Sequence, residues 1–75
     1  MNNMETTIKL KSSFIKSATY HKDKKRLDIQ IGEMIYCYYG VTSQKVAMFK
    51  RSISKGSYYA TKIKGHYKVI RRKLK

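Results

Sequence analysis

The side chains in this 75-residue chain with the means to do chemistry are its 18 Lys and Arg, set against 4 Asp and Glu, and its 7 Tyr. Cations hold polyanions without demanding a fixed geometry, and phenol rings offer flat faces on which bases stack. The cations are unevenly placed. From Met34 to Lys75 there are eleven Lys and Arg and no Asp or Glu, so that stretch carries most of the formal +14. A one-signed field of this size repels itself and favours a polyanionic partner, whereas a surface charged only for solubility would mix both signs. The candidate phosphate contacts are therefore Lys50, Arg51, Lys55, Lys62, Lys64, Lys68, Arg71, Arg72 and Lys73. Tyr58 is the candidate stacking ring, because on a helix Tyr58 and Tyr59 cannot both point inward, and Tyr59 aligns with Ile63 and Tyr67 at four-residue spacing. Tyr20 and Tyr39 are further candidates for stacking.

The turn Ser54-Lys55-Gly56-Ser57 has the composition of a phosphate cradle, with free N–H groups at a helix start and a Gly that permits close approach. The same residues serve equally as an N-cap with a tight turn, and we take capping as their main role. Catalytic chemistry finds little support. Glu5, Asp23, Asp28 and Glu33 are scattered, so no paired carboxylates are expected for acid–base or two-metal work. The single Cys37 reads as a small hydrophobe in an aromatic strand, not as a nucleophile paired with His21 or His66. One Cys also excludes an internal disulfide framework and a Cys-based zinc site, and points to a cytoplasmic location. We expect no cofactor, no metal, no small-molecule substrate and no membrane association. No apolar run approaches the ~20 residues of a span, and the N-terminus lacks the order of a signal peptide.

The elements that must position these groups follow from periodicity. Residues 1–7 are polar and expected to fray, with Ile8 and Leu10 as an extended edge. Phe14 to Tyr20 suits a first strand whose inward parity stays open between Phe14/Ala18/Tyr20 and Ile15/Ser17/Thr19. Leu27, Ile29 and Ile31 alternate with Asp28 and Gln30, and Gly32-Glu33 makes a two-residue reversal into Met34 to Tyr39. That turn pairs Ile31 with Met34, Ile29 with Tyr36 and Leu27 with Tyr38 on one apolar face. Ile35, Cys37 and Tyr39 fall on the opposite face, a candidate interface for a homodimer or a protein partner. Thr42 or Ser43 caps a helix through Gln44 to Ile53, whose Val46, Phe49 and Ile53 share a face. A second short helix follows Ser54 and ends at Gly65, and residues 68–75 form a basic tail. The expected fold is a single α+β domain over residues 1–75: a small antiparallel three-stranded β-meander followed by two short helices packed on one face.

Several of these residues together carry a family resemblance. Ser12-Ser13-x-Ile15-x-Ser17-x-x-Tyr20, Leu27-x-Ile29-x-Ile31, Tyr36-x-Tyr38 followed by Val41, and Ser54-x-Gly56-x-Tyr58-Tyr59-x-x-x-Ile63-Lys64-Gly65-x-Tyr67 resemble the KTSC domain over about residues 10 to 70. The family takes its name from the C-terminal region of some lysyl-tRNA synthetases, and occurs as stand-alone small proteins of bacteria and phages. Thr42 stands where the family often has Pro, and the hairpin turn is one residue shorter than usual. The resemblance implies nucleic-acid binding toward tRNA or other RNA, and brings no catalytic residues. The expectation is a non-catalytic RNA-binding mini-domain, RNA being favoured over DNA. The alternative is a protein-interaction module or homodimer that meets an acidic partner.

Overall fold

The computed structural model describes residues 5–8 and 14–73. Its sheet is antiparallel, with strands neighbouring in chain order: β1 (Glu5–Ile8), β2 (Ile15–His21), β3 (Arg26–Ile31), β4 (Met34–Tyr39) and β5 (Lys68–Lys73). Between β4 and β5 come α1 (Ser43–Arg51), α2 (Lys55–Tyr58) and a π-helical turn over Tyr59–Ile63. The α+β class and the antiparallel meander agree with expectation, but the sheet has five strands, not three. β1 takes in residues 5–7, which were expected to fray, and the supposed tail is β5, paired with β4 from Met34↔Lys73 to Tyr39↔Lys68. Both added strands are held by main-chain hydrogen bonds along an edge, which side-chain periodicity does not report. Residues 1–4 and 74–75, with Leu10, Ser12 and Ser13, lie outside the described residues.

The β3–β4 hairpin has the expected register, with Ile31 opposite Met34, Ile29 opposite Tyr36 and Leu27 opposite Tyr38. Gly32 sits at φ +61° in the first central position of the turn, the type II′ arrangement that matches strand twist. The ambiguous parity of β2 has a physical origin. A register shift between Ile15 and Ser17 inserts an extra residue, so Ile15, Ala18 and Tyr20 all turn inward and neither simple alternation applies.

Thr42 caps α1 by accepting a hydrogen bond from the Lys45 N–H at 3.3 Å. Val46 and Phe49 then bury against the sheet. Ile53 does not join them: the helix ends at Arg51, Ser52 is extended, and Ile53 is fully exposed. The core unites Ala18, Tyr20, Leu27, Ile29 and Tyr38 of the sheet with Val41, Val46, Phe49, Tyr59 and Ile63. The Tyr20 hydroxyl donates to the Val41 carbonyl at 2.6 Å, fastening β2 to the link between β4 and α1. All helical elements thus cover one face of the sheet. In the π turn the Lys64 N–H reaches back to the Tyr59 carbonyl at 2.8 Å, a widened turn that keeps Tyr59 and Ile63 on the buried side. Gly65, at φ +82°, then reverses the chain into β5.

Candidate functional site

Strand alternation divides the cations of the last strand between two surfaces. In register with β4, Val69, Arg71 and Lys73 share the helix-bearing face with Tyr38, Tyr36 and Met34. Lys68, Ile70 and Arg72 share the opposite face with Tyr39, Cys37 and Ile35. All six β5 residues are exposed. Lys50 lies elsewhere, in a shallow depression with Tyr20 and Lys22, and Arg51 ends α1, where a cation meets the negative pole of the helix dipole. Lys62 is exposed on the π turn, and Lys55 donates from Nζ to the Ser52 carbonyl at 3.0 Å. The nine candidate cations therefore do not form one patch.

The Ser54 turn serves the chain itself. Ser54 Oγ accepts from the Ser57 N–H at 3.2 Å, Gly56 is buried, and the Lys55 ammonium closes back on Ser52. These are the contacts of a capped turn, the role given priority from sequence. Tyr58 is half-buried, its ring tilted against Phe49 with centroids 5.8 Å apart. Tyr20 is buried outright.

A cleft of about 530 Å³ lies between the helix-bearing face of β4–β5 and the turn after the π helix. Its floor is a chain of rings: Phe14 meets Tyr59 at 6.2 Å, and Tyr59 meets Tyr38 edge-on at 5.8 Å. Tyr36 and Tyr67, both half-buried, form the sides with Ile31 and Val69. Lys64 and Arg71, both exposed, stand at the rim, and no acidic residue lines the cleft. The Tyr38 and Tyr59 hydroxyls lie 2.6 Å apart and share one hydrogen bond. Burial pushes the Tyr38 phenol up, with the Tyr59 bond adding to it, and burial likewise raises Tyr59 and Tyr67. Tyr38, Tyr59 and Tyr67 therefore stay neutral and keep their protons for donation.

The helix-free face is of another character. Asp28 accepts from His21 Nε2 at 2.9 Å and from Arg26 Nε at 3.0 Å, and Glu5 reaches His21 Nδ1 at 3.5 Å. Two acids called scattered on sequence grounds thus meet around one histidine. Beside them Ile35 and Tyr39 are half-buried, and Cys37 is buried between register partners Asp28 and Ile70. Burial pushes the Cys37 thiol up, and Asp28 reinforces the shift, so the nucleophilic thiolate is disfavoured.

Sequence reasoning missed the cleft as a site, because it assigned Tyr36, Tyr38, Tyr59 and Tyr67 singly to packing. The available signal was the excess of Tyr over Phe, seven against two, at positions patterned like a core. A hydroxyl at such a position needs a partner or an opening.

Comparison with known proteins supports one assignment. No curated protein matches the chain. Among solved structures, the crystal structure of a KTSC domain protein from Yersinia pestis superposes with a TM-score of 0.76 at 33% identity, covering 95% of this chain and 99% of that one. The family model described as the KTSC domain matches residues 11–67. The chain belongs to the KTSC domain family.

Proposed function

We propose that the protein is a non-catalytic binder of single-stranded RNA that grips phosphates along β5 and the turn leading into it. The observation that carries this reading is an exposed edge strand bearing Lys68, Arg71, Arg72 and Lys73, with no Asp or Glu on it or on its partner β4. Cations on the same face of a strand repeat every ~6.6 Å, which lets several phosphates be held along a flexible backbone. The same charges also guard the edge against pairing with another chain. RNA is preferred to duplex DNA because single strands expose bases to aromatic rings. If four phosphates are neutralised, log K falls against log salt with a slope of about −3, a loss of about 50-fold between ~50 and ~200 mM salt. Fluorescence anisotropy with labelled single-stranded RNA, duplex RNA and duplex DNA measures this. Arg71→Glu/Arg72→Glu should weaken binding at every salt concentration. Absence of binding to any of the three at the lowest salt would overturn the proposal.

A second reading rests on the helix-free face, where Ile70, 48% exposed, extends the row of Ile35 and Tyr39. An apolar row with Lys68 and Arg72 beside it suits a homodimer or an acidic protein partner. Light scattering after size exclusion decides: a dimer that Ile35→Asp or Tyr39→Asp converts to monomer favours it, and a wild-type monomer removes the homodimer.

A further inference from the structure

We infer that the aromatic cleft between β4–β5 and the Gly65 turn receives one unstacked base of a bound RNA strand, with its flanking phosphate held by Lys64 and Arg71. The inference deepens the RNA reading and rests on it. Three observations give the cleft this ligand. At about 530 Å³ it falls within the roughly 300–1,000 Å³ of small-ligand sites, large enough for a nucleoside unit. Its half-buried Tyr36 and Tyr67 present ring surface, while the rim holds two cations and no acid, so the occupant is flat and anionic. A purely apolar peptide side chain would leave those charges without purpose, and a phosphate alone would leave the rings so.

The third observation is the phenol pair. Two hydroxyls that share one hydrogen bond use one of their two protons. The hydroxyl that accepts keeps its own proton, for which no acceptor is found among the described residues. Both phenols line the cleft, so the spare donor is available to a base carbonyl or ring nitrogen. Every base has a stacking face and an acceptor, which makes the site tolerant of sequence. Lys68 and Arg72 lie on the other face of β5 and grip backbone without contributing to this pocket.

The test compares oligouridine with an abasic phosphodiester of equal length and charge, alongside adenosine monophosphate. The RNA should bind about 5- to 150-fold more tightly than the abasic strand, the worth of one base–aromatic stack. Tyr67→Leu and Tyr36→Leu should narrow that gap, with the salt slope unchanged, and Tyr67→Phe should restore most of it. Lys68→Ala/Arg72→Ala should lower the salt slope and leave the gap intact. Amide chemical shifts at Gly65 and Tyr67 should move with RNA and stay put with the abasic strand, whereas Arg71 should move with both; dispersion of the same spectra reports folding, and Lys64→Ala gives an exposed cleft variant that does not disturb the core. Equal affinity for RNA and abasic strand overturns the base pocket while sparing phosphate binding. Adenosine monophosphate binding as tightly as the oligomer overturns it in favour of a free-nucleotide site. No binding by either strand overturns the RNA reading and this inference together.

Discussion

The hydroxyl pair of Tyr38 and Tyr59 can be tested by a double-mutant cycle. The two residues are 2% and 4% exposed, and their oxygens are 2.6 Å apart. Replacing either Tyr by Phe removes one hydroxyl and strands the other, which costs about 1–3 kcal/mol when the orphan is buried. Because both phenols border the cleft, the survivor regains part of this from cleft water, which puts each single change at about 1–2 kcal/mol. Removing both leaves a ring pair of the same shape with no orphan, so Tyr38→Phe/Tyr59→Phe should cost less than ~1 kcal/mol. The singles then do not add, and the interaction energy exceeds ~1 kcal/mol. A chain of this length has a total stability of about 4–11 kcal/mol, so each single is a visible fraction of it. Urea unfolding followed by tyrosine fluorescence is the assay. With a slope of ~1 kcal/mol per molar urea, each single should lower the midpoint by about 1–2 M. Singles that lie within ~0.3 kcal/mol of wild type, with an additive double, would refute the argument that the two hydroxyls satisfy one another.

The remaining predictions draw on other parts of the fold. Tyr20, Tyr38, Tyr59 and Tyr67 all ionise less readily in the fold than in the unfolded chain. The unfolded chain thus loses its phenolic protons first, so the phenols' contribution to stability should be constant below about pH 10 and fall above it, by up to ~1.4 kcal/mol per pH unit for each such Tyr, following an earlier and smaller fall from the Cys37 thiol. Phenolate absorbance followed beside circular dichroism checks this, and full ionisation near pH 10 with the fold intact would contradict it. Phe49→Ala should cost about 3–5 kcal/mol by opening the core, whereas Ile53→Lys, at a fully exposed position, should stay within about 0.5 kcal/mol of wild type in thermal melts. Thr42→Ala should cost about 0.5–2 kcal/mol through loss of the α1 cap, with Thr42→Ser retaining most of it. Cys37 should react with iodoacetamide far more slowly in the native protein than in urea, as mass spectrometry would show, because burial and Asp28 both oppose its thiolate.

The sequence by itself determined what repeats at short range. Alternation through Leu27, Ile29 and Ile31, with a Gly at the reversal, specified the β3–β4 hairpin and its pairing, since a two-residue turn leaves one register that buries all the apolar residues together. A hydroxyl before a helix has one obvious use, so Ser54 announced its helix and Thr42 or Ser43 announced α1, the structure choosing Thr42. The charge imbalance was legible as composition, and the family as a pattern of spaced residues. The tertiary structure alone decided the rest. Lys68–Lys73 reads as a solvated charge run, because an edge strand is held by backbone bonds that leave no apolar signature. Phe14 stops short of β2, and Ile15 shifts inward, because a bulge breaks the period that a reader must assume constant. Ile53 falls outside the core because α1 unwinds two residues earlier. The cleft was the least legible feature. Tyr36, Tyr38, Tyr59 and Tyr67 stand up to 31 positions apart in the chain, and only the docking of the π turn against β4 and β5 converts rings that look like separate core residues into the walls of one site.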